Sequence, residues 1–397
     1  MLPIKDFNYT LSDEQIAKYP ITPRDHSKLL LYKAGKISHD VFYNIGKHLK
    51  DTPLLVYNNT RVIQARLIFQ KSTGARIELF CLEPLAPSEY TLSLSSTKQC
   101  DWECLVGNAK KWKDDTLLLY IEAIKLTLTA TKIETLEFSQ RIRFTWDNPQ
   151  ISFGEILDAI GELPIPPYLN RPTEESDKQN YQTVYSRIQG SVAAPTAGLH
   201  FTEEVITQLK KQQINFEEIT LHVGAGTFRP VKTEDANQHI MHTETILLRR
   251  ESIEHIQQNL GNVIAIGTTT VRTLESLYFL GHQDWEQTTI PQVKQFEPYQ
   301  TNYTLTAEEA LQHVLDTMTK NNTDILQART QIMIKPGYQF RIIKGMITNF
   351  HQPQSTLLLL VSALIGEDWK KVYQYAQENQ FRFLSYGDSS LLLPSEQ

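Results

Sequence analysis

Apolar strands that run into polar turns and then into helices set the strongest limit on how this chain folds. Residues 263–266 form such a strand, residues 267–270 a polar turn, and a helix is expected from Val271. The same order returns in a strand at residues 346–347, the turn TNFHQPQS and the helix Thr356–Ile365. Repeated units of this kind predict an α/β sheet or barrel whose ligand site lies at the carboxyl ends of the strands.

A long stretch without helix signals interrupts these units. From Ile68 to Phe144 the chain reads as short alternating or apolar runs separated by turns, YTLSLSS among them, and such spacing is typical of a small barrel or sandwich. We therefore predict the α/β fold class, with a barrel-like α/β catalytic domain formed by residues 1–56 and 151–397. Residues 57–150 are predicted to form an inserted small all-β barrel domain.

Two histidines stand beside Gly-rich turns between residues 190 and 231. His200 follows the turn APTAG, whereas His222 ends an alternating strand whose apolar residues point the other way. We therefore expect His222 on the unpacked face of that strand. The glycines of the next turn would let backbone amides approach an anion or a sugar. A lone histidine at a strand end is more often structural than catalytic, so it is the pair that favours a site.

Two basic features are candidate binding elements. Arg61 stands at the exit of the polar turn NNT, where contact with a ligand competes with simple surface solubility. In the β-rich segment Lys110, Lys111 and Lys113 surround Trp112. An aromatic ring among cations is suited to the backbone and bases of a nucleic acid, although most such clusters are solvated loops.

Composition places the chain among ordinary globular proteins. Of its 397 residues 41% are hydrophobic and 21% charged, and the net charge of −6 gives no general sign of nucleic-acid binding. Its three cysteines suit neither a disulfide framework nor a zinc knuckle. The longest apolar run is far below the roughly 20 residues of a membrane span, and no signal-peptide pattern opens the chain. We expect a cytoplasmic protein that binds no metal and no membrane.

Several long motifs resemble those of one known family. GSVAAPTAGLHFT, TLHVGAGTFRPV, IGTTTVRTLES, ITNFHQPQSTLLLLVSALIG and FRFLSYGD look like motifs of the S-adenosylmethionine:tRNA ribosyltransferase-isomerase family of queuosine biosynthesis. An N-terminal YP-x-x-PRD element extends the match. The resemblance implies an α/β barrel-like domain with an inserted small β-barrel.

The resemblance also implies a reaction. The ribosyl part of S-adenosylmethionine is transferred and isomerised onto the aminomethyl group of 7-aminomethyl-7-deazaguanine at the tRNA wobble position. Epoxyqueuosine forms, and adenine and methionine leave. S-adenosylmethionine is then a consumed substrate rather than a cofactor, and the expected partner is a tRNA that carries the 7-deazaguanine.

The implied reaction suggests roles for residues of these motifs. A base must remove the acidic proton beside the sulfonium, and the departing adenine benefits from a proton donor. The expected catalytic residues are His200, His222, His351 and Asp388, the last as an acceptor from the deazaguanine or its amine. The methionine carboxylate needs donors, for which the TTT turn and Arg272 are suited. The expected substrate-binding residues are Arg61, Thr196, Gly224, Gly226, Thr227, Arg229, Thr268, Thr269, Thr270, Arg272, Asn349, Ser355 and Tyr386.

Four positions depart from the family pattern and leave alternatives open. The family commonly has NDTRVIPARL and NFHLPKST, where this chain has Asn59, Gln64, Gln352 and Gln354. Losing one carboxylate and one ammonium is either a compensated exchange or the mark of a paralogue that uses S-adenosylmethionine on a different nucleoside or acceptor. A non-catalytic RNA-binding protein is a further alternative, against which the retained histidines argue. Residues 281–331 also look longer than the family pattern.

Overall fold

The computed structural model describes residues 1–71, 73–113, 116–137, 139–224, 231, 233–286, 288–300 and 303–395. The strands are β1 (Lys28–Lys33), β2 (Lys36–Val41), β3 (Leu54–Asn58), β4 (Thr60–Val62), β5 (Arg66–Gln70), β6 (Arg76–Ala86), β7 (Gln99–Gly107), β8 (Thr116–Ile121), β9 (Leu126–Thr135), β10 (Gln140–Trp146), β11 (Ile188–Ser191), β12 (Phe216–His222), β13 (Glu244–Arg249), β14 (Val263–Ile266), β15 (Gln292–Val293), β16 (Ile325–Thr330), β17 (Ile343–Asn349) and β18 (Ser389–Leu393). The helices are α1 (Tyr90–Leu94), α2 (Phe153–Ile160), α3 (Asp177–Asn180), α4 (Glu203–Lys211), α5 (Arg250–Gln258), α6 (Thr268–Leu280), α7 (Ala307–Lys320), α8 (Thr356–Ile365) and α9 (Asp368–Glu378).

A ten-stranded mixed sheet forms the larger part of the molecule, in the order β15-β16-β13-β12-β3-β14-β17-β18-β1-β2. Its central strands β12, β3, β14 and β17 run parallel. All four residues of β14 are buried, which explains its unbroken apolar sequence, because parallel strands are usually covered on both faces. The largest apolar cluster joins this sheet to residues of α6, α7 and α8. The centre of the sheet is therefore a rigid support for whatever follows its strand ends.

A six-stranded antiparallel sheet, in the order β5-β6-β7-β10-β9-β8, forms a second unit that we call the small barrel. Its outer strands β5 and β8 also contact each other, so the sheet is nearly closed. Trp102 and Phe144 are buried in its interior, and Phe153 of α2 packs against both rings. The predicted α/β class with a small all-β barrel is confirmed. The domain boundaries at residues 57 and 150 stay a prediction.

The chain enters and leaves the small barrel at neighbouring points. The Arg66 amide donates to the Glu162 carbonyl at 3.2 Å, and the Glu162 amide donates to the Arg66 carbonyl at 2.8 Å. Just outside this bridge β4 and β11 pair in parallel. The small barrel is thus attached to the large sheet by two strands that lie side by side.

Two local predictions were wrong. The segment YTLSLSS, expected as a strand, contains helix α1, whose Tyr90 and Leu94 stand four residues apart and are buried against the barrel interior. Helix α6 begins at Thr268 instead of Val271, so the expected TTT turn is the first turn of that helix. Gly267 precedes it with a φ of +91°, a conformation that glycine adopts readily.

Candidate active site

A cleft opens at the carboxyl ends of the parallel strands β12, β14 and β17. It has about 1180 Å³ of empty space, part of it open to solvent. Residues directly after these strands form its walls: Val223, Gly267, Thr268, Thr269, Phe350, His351 and Gln352. Its position is the one that the strand-turn-helix units predict for a ligand site.

The N-terminus of α6 forms one end of the cleft. Its first-turn amides, those of Thr268, Thr269 and Thr270, have no acceptor among the residues that the structure describes, and no side chain caps the helix. Two buried side-chain atoms beside them, Thr269 Oγ1 and Arg272 Nη2, likewise lack a described hydrogen-bond partner. Free amides at a helix N-terminus attract anions. This end of the cleft is therefore suited to a carboxylate or phosphate.

A buried ion pair holds Arg272 in place. Its Nη1 donates to the Glu244 carboxylate, and its Nε donates to the Ile332 carbonyl at 3.2 Å. Burial raises the pKa of Glu244, and the charge of Arg272 opposes that shift. Both side chains line the cleft. Two fixed bonds thus orient the guanidinium and leave Nη2 to a ligand.

Of the three candidate histidines, His351 lines the cleft. Its Nε2 lies 2.9 Å from Thr348 Oγ1, and its backbone amide donates to the Tyr373 hydroxyl at 3.0 Å. Its Nδ1 has no hydrogen-bond partner within the described part of the chain. Burial lowers the pKa of His351 to about 3, so the ring is neutral at pH 7. A neutral imidazole with a free nitrogen can accept a proton.

His200 stands one layer behind the cleft wall, with both ring nitrogens in hydrogen bonds. Asn349 Oδ1 accepts from the Thr196 hydroxyl at 3.0 Å, which leaves Asn349 Nδ2 to donate to His200 Nε2 at 3.1 Å. The ring proton then lies on Nδ1, which donates to Ser27 Oγ at 2.7 Å. Burial lowers the pKa of His200 to about 3, with smaller effects from Arg382 and Arg24. His200 therefore orients Asn349 and Thr196, which line the cleft.

The expectation that His222 faces away from the packed side was wrong. Its side chain is 4% exposed and stacks on Tyr90, with ring centroids 4.2 Å apart and planes at 18°. A Cβ at Gly190 would come within 2.7 Å of both His222 Nδ1 and Tyr90 Cδ1, so the backbone of Gly190 packs against the stacked pair. Burial lowers the pKa of His222 to about 4. The face that sequence alternation left open is covered by helix α1 of the small barrel.

The other expected substrate-binding residues divide into two groups. Thr196, Thr268, Thr269, Arg272, Asn349 and Ser355 line the cleft. Thr270 is next to them, but its hydroxyl donates to the Ile266 carbonyl at 2.7 Å inside the helix. Arg61 is exposed on β4, and Gly224 lies near Glu83, so neither lines the cleft. Gly226, Thr227 and Arg229 lie outside the described residues.

Asp388 and Tyr386 are occupied by internal partners instead of lining the cleft. The Asp388 carboxylate accepts from the Lys28 amide at 3.0 Å and from the Arg382 amide at 2.8 Å. The Tyr386 hydroxyl donates to Asp177 Oδ1 at 2.8 Å. Both residues hold the C-terminal FRFLSYGD segment in place.

The lysine cluster of the small barrel is at the surface, but its tryptophan is not. Lys110, Lys111 and Lys113 are exposed, whereas Trp112 is 2% exposed within the barrel core. Lys132 Nζ lies 4.8 Å from the centroid of its ring. Stacking of Trp112 on a nucleic-acid base is therefore ruled out in this conformation, because both its burial and Lys132 block the ring.

Sequence reasoning missed several residues of the cleft wall. Tyr168, Tyr181, Glu244 and Ser385 line it, and the Tyr168 and Ser385 hydroxyls lie 2.5 Å apart. Glu244 carried a signal, because it shares the inward face of β13 with Ile246 and Leu248. The sequence around Tyr168 and Tyr181 does not indicate that they line the cleft, because their loops reach it only through tertiary packing.

The departures from the family motifs have internal partners in the structure. Asn59 Oδ1 accepts from Thr220 Oγ1 at 2.8 Å, a bond that a carboxylate would also accept. Gln64 Nε2 donates to the Asp158 carbonyl at 3.2 Å, whereas the Gln354 bond to the Phe7 carbonyl, at 2.9 Å, comes from its backbone N–H and not from its side chain. Gln352 lines the cleft. In the segment 281–331, α7 packs against α5 and α6.

The described residues contain neither a metal-binding cluster of side chains nor a membrane-spanning helix. We found no group of three or more His, Cys, Asp or Glu side chains placed to hold a metal ion in that part of the chain. Among the same residues, every helix is too short or too polar to cross a membrane.

Comparison with known proteins identifies relatives along the whole chain. Residues 4–392 match the family described as queuosine biosynthesis protein. The S-adenosylmethionine:tRNA ribosyltransferase-isomerase of Caldanaerobacter subterraneus is 38% identical over 98% of this chain and 99% of its own. The enzyme of the same name from Aquifex aeolicus is 36% identical over the same shares. A crystal structure of the S-adenosylmethionine tRNA ribosyltransferase of Thermotoga maritima is 26% identical over 98% of this chain and 100% of its own, with a TM-score of 0.47.

Proposed function

The chain belongs to the S-adenosylmethionine:tRNA ribosyltransferase-isomerase family of queuosine biosynthesis, and we propose that its substrate is 7-aminomethyl-7-deazaguanine at the wobble position of a tRNA. The ribosyl part of S-adenosylmethionine is transferred and isomerised onto the aminomethyl nitrogen. Epoxyqueuosine is the product, and adenine and methionine are released. The names of the relatives favour this reaction over a paralogue with another acceptor and over a non-catalytic RNA-binding protein.

The observation that carries the proposal is the unpartnered donor set at the N-terminus of α6. Thr268, Thr269 and Arg272 line that end of the cleft, and within the described part of the chain Thr269 Oγ1, Arg272 Nη2 and the first-turn amides have no hydrogen-bond partner. In our proposal they hold the methionine carboxylate of S-adenosylmethionine, because a helix N-terminus and a guanidinium both favour a carboxylate. The ribose and the sulfonium then extend toward the middle of the cleft.

His351 is the proposed base. Its neutral ring lines the cleft, and in the proposed tautomer Nε2 carries the ring proton and donates it to Thr348 Oγ1, so that Nδ1 takes the proton from the carbon beside the sulfonium. His200 is a positioning residue in this proposal, because both its nitrogens are engaged by Ser27 and Asn349.

The proposal is tested by incubating the protein with S-adenosylmethionine and a precursor tRNA and measuring the modified nucleoside by mass spectrometry. We expect epoxyqueuosine, together with free adenine and methionine in equal amounts. Formation of a different ribosyl adduct would identify the paralogue instead. Stable RNA binding without any product would identify the RNA-binding protein.

The donor set is tested by Thr269→Val, which keeps the side-chain shape and removes the unpartnered hydroxyl. We expect the KM for S-adenosylmethionine to rise roughly tenfold, since a hydrogen bond to a charged group is lost. Thr273→Val is the matched control, because that hydroxyl donates to the Thr269 carbonyl inside the same helix. An equal effect of both variants on the KM would refute a specific role for Thr269.

A further inference from the structure

A second, smaller pocket lies behind the cleft wall. It comprises about 230 Å³ of empty space, part of it open to solvent, and is lined by the N-terminal YP-x-x-PRD element, by His200 and by the C-terminal FRFLSYGD segment. Arg24 and Arg382 are its charged residues. The two motifs meet here from opposite ends of the chain.

Arg24 has no carboxylate partner within the described part of the chain. Its Nη1 and Nη2 donate to the backbone carbonyls of Gln182 and Gln179, each at 2.8 Å. The neighbouring Asp25 carboxylate instead contacts His26 Nδ1 at 2.9 Å and accepts from Thr202 Oγ1 at 2.7 Å. The guanidinium is therefore fixed in position while its charge remains uncompensated.

Arg382 is the second arginine of the pocket, and its charge is paired with the buried Asp388 carboxylate. Its Nη2 lies 3.3 Å from Asp388 Oδ1, and that carboxylate also accepts from the amides of Lys28 and Arg382. Burial is the main cause of the lowered pKa of His200, and the positive charges of Arg382 and Arg24 lower that pKa further. An occupant of the pocket therefore meets the Arg24 guanidinium, which has no carboxylate partner among the described residues, the Arg382 guanidinium, which Asp388 already holds, and a neutral imidazole.

The pocket adjoins the cleft directly. Ser385 lines both spaces, and the bond between His200 Nε2 and Asn349 Nδ2 forms part of the partition between them. A nucleotide within an RNA strand carries a phosphodiester on each side of its sugar. An RNA whose modified base enters the cleft therefore brings phosphates to the rim of the cleft.

We propose that the pocket between Arg24 and Arg382 binds a backbone phosphate of the RNA, next to the nucleotide that reacts. This inference rests on the proposed function, since it assumes that the base of a tRNA enters the cleft. The planar guanidinium matches the geometry of phosphate oxygens. The other anion of the reaction, the methionine carboxylate, already has the donors at the N-terminus of α6.

The test compares Arg24→Gln, which removes the charge, with Arg24→Lys, which keeps it. Arg250→Gln is the control, because Arg250 also donates to a backbone carbonyl, that of Leu315, away from both pockets. The affinity for tRNA is measured between 50 and 300 mM salt, concentrations on the order of those that resolve phosphate contacts. For Arg24→Gln we expect the slope of log Kd against log salt to fall by about 0.7, the value for one phosphate contact on a single strand. We expect the KM for tRNA to rise roughly tenfold, with Arg24→Lys intermediate and Arg250→Gln at the wild-type values.

Three results would overturn the inference. The first is an unchanged salt slope in Arg24→Gln, and the second is a rise in the KM for S-adenosylmethionine instead of the KM for tRNA. The third is an equal loss of tRNA affinity in Arg24→Gln and Arg24→Lys, together with an equally lowered Tm. The last would show that Arg24 merely ties its carbonyl partners together. A failure of the proposed function is distinct, because wild-type protein would then form no epoxyqueuosine.

Discussion

His351 is the residue on which the proposed chemistry depends most. His351→Gln removes the ring nitrogen that faces the cleft, and we expect kcat to fall by roughly 10²-fold or more, the usual loss for a general base. Binding of S-adenosylmethionine, followed by calorimetry, should stay within about twofold, because the carboxylate donors are untouched. A variant that folds and turns over normally would exclude His351 as the base.

The buried histidines also make stability depend on pH. The pKa of His222 is lowered to about 4, whereas an exposed histidine in the unfolded chain titrates near 6.5. The unfolded chain therefore binds more protons between these values. The contribution of His222 is fully present above about pH 6.5 and is lost as pH falls toward 4.

His222→Asn measures this contribution. At pH 7 we expect the variant to lose about 1–3 kcal/mol of unfolding free energy, because its stack on Tyr90 disappears and a cavity remains. Between pH 7 and pH 5 it should lose about 2 kcal/mol less than the wild type, since the titrating group is gone. Denaturant titrations at the two pH values provide the comparison. Equal acid sensitivity of the two proteins would contradict a buried neutral His222.

At the scale of elements, the start of α6 depends on Gly267. Its φ of +91° strains any residue with a Cβ, although the nearest side-chain carbon would be 3.6 Å away. Gly267→Ala should therefore cost about 1–2 kcal/mol of stability and raise the KM for S-adenosylmethionine, because the first-turn amides shift. Gly337, with a φ of +92° and open space around it, is the matched control. We expect Gly337→Ala to lose similar stability and to keep the KM, and a raised KM in both variants would refute the link.

The exposed lysines of the small barrel test a separate contact with tRNA. Replacing Lys110, Lys111 and Lys113 by Ala should raise the KM for tRNA and flatten its salt dependence, while binding of S-adenosylmethionine stays intact. A charge-matched control replaces the exposed Lys210, Lys211 and Lys320, which end α4 and α7. Equal tRNA affinity in both triple variants would reject a specific role for the barrel lysines.

Elements whose own sequence determines them could be predicted, and those that depend on a neighbour could not. Helix α8 spans the predicted residues, and Thr306 and Glu309 form the capping box that their spacing indicates before α7. His222 and Trp112 were misplaced because each is covered by another segment, α1 in one case and the barrel core in the other. The alternation of apolar and polar residues in one segment does not show which other segment of the chain packs on it.

At the scale of the whole molecule, the position of the cleft could be predicted from the sequence, but several of the residues that line it could not. Parallel strands that end in polar turns place their turns at one edge, so the contributions of α6 and of the β17–α8 turn followed from the sequence. Tyr168 and Ser385 reach the same cleft from loops far apart in the chain. Their approach depends on how the barrel and the C-terminal segment pack on the sheet.

The paired amides and carbonyls of Arg66 and Glu162 bear on how such a molecule arises. Because the points of exit and return are already in contact, a gene fragment that encodes the barrel can enter or leave the parent gene without stretching the large sheet. A linker of about two glycines in place of residues 67–161 would span the short gap between Arg66 and Glu162 and leave the path of the large sheet unchanged.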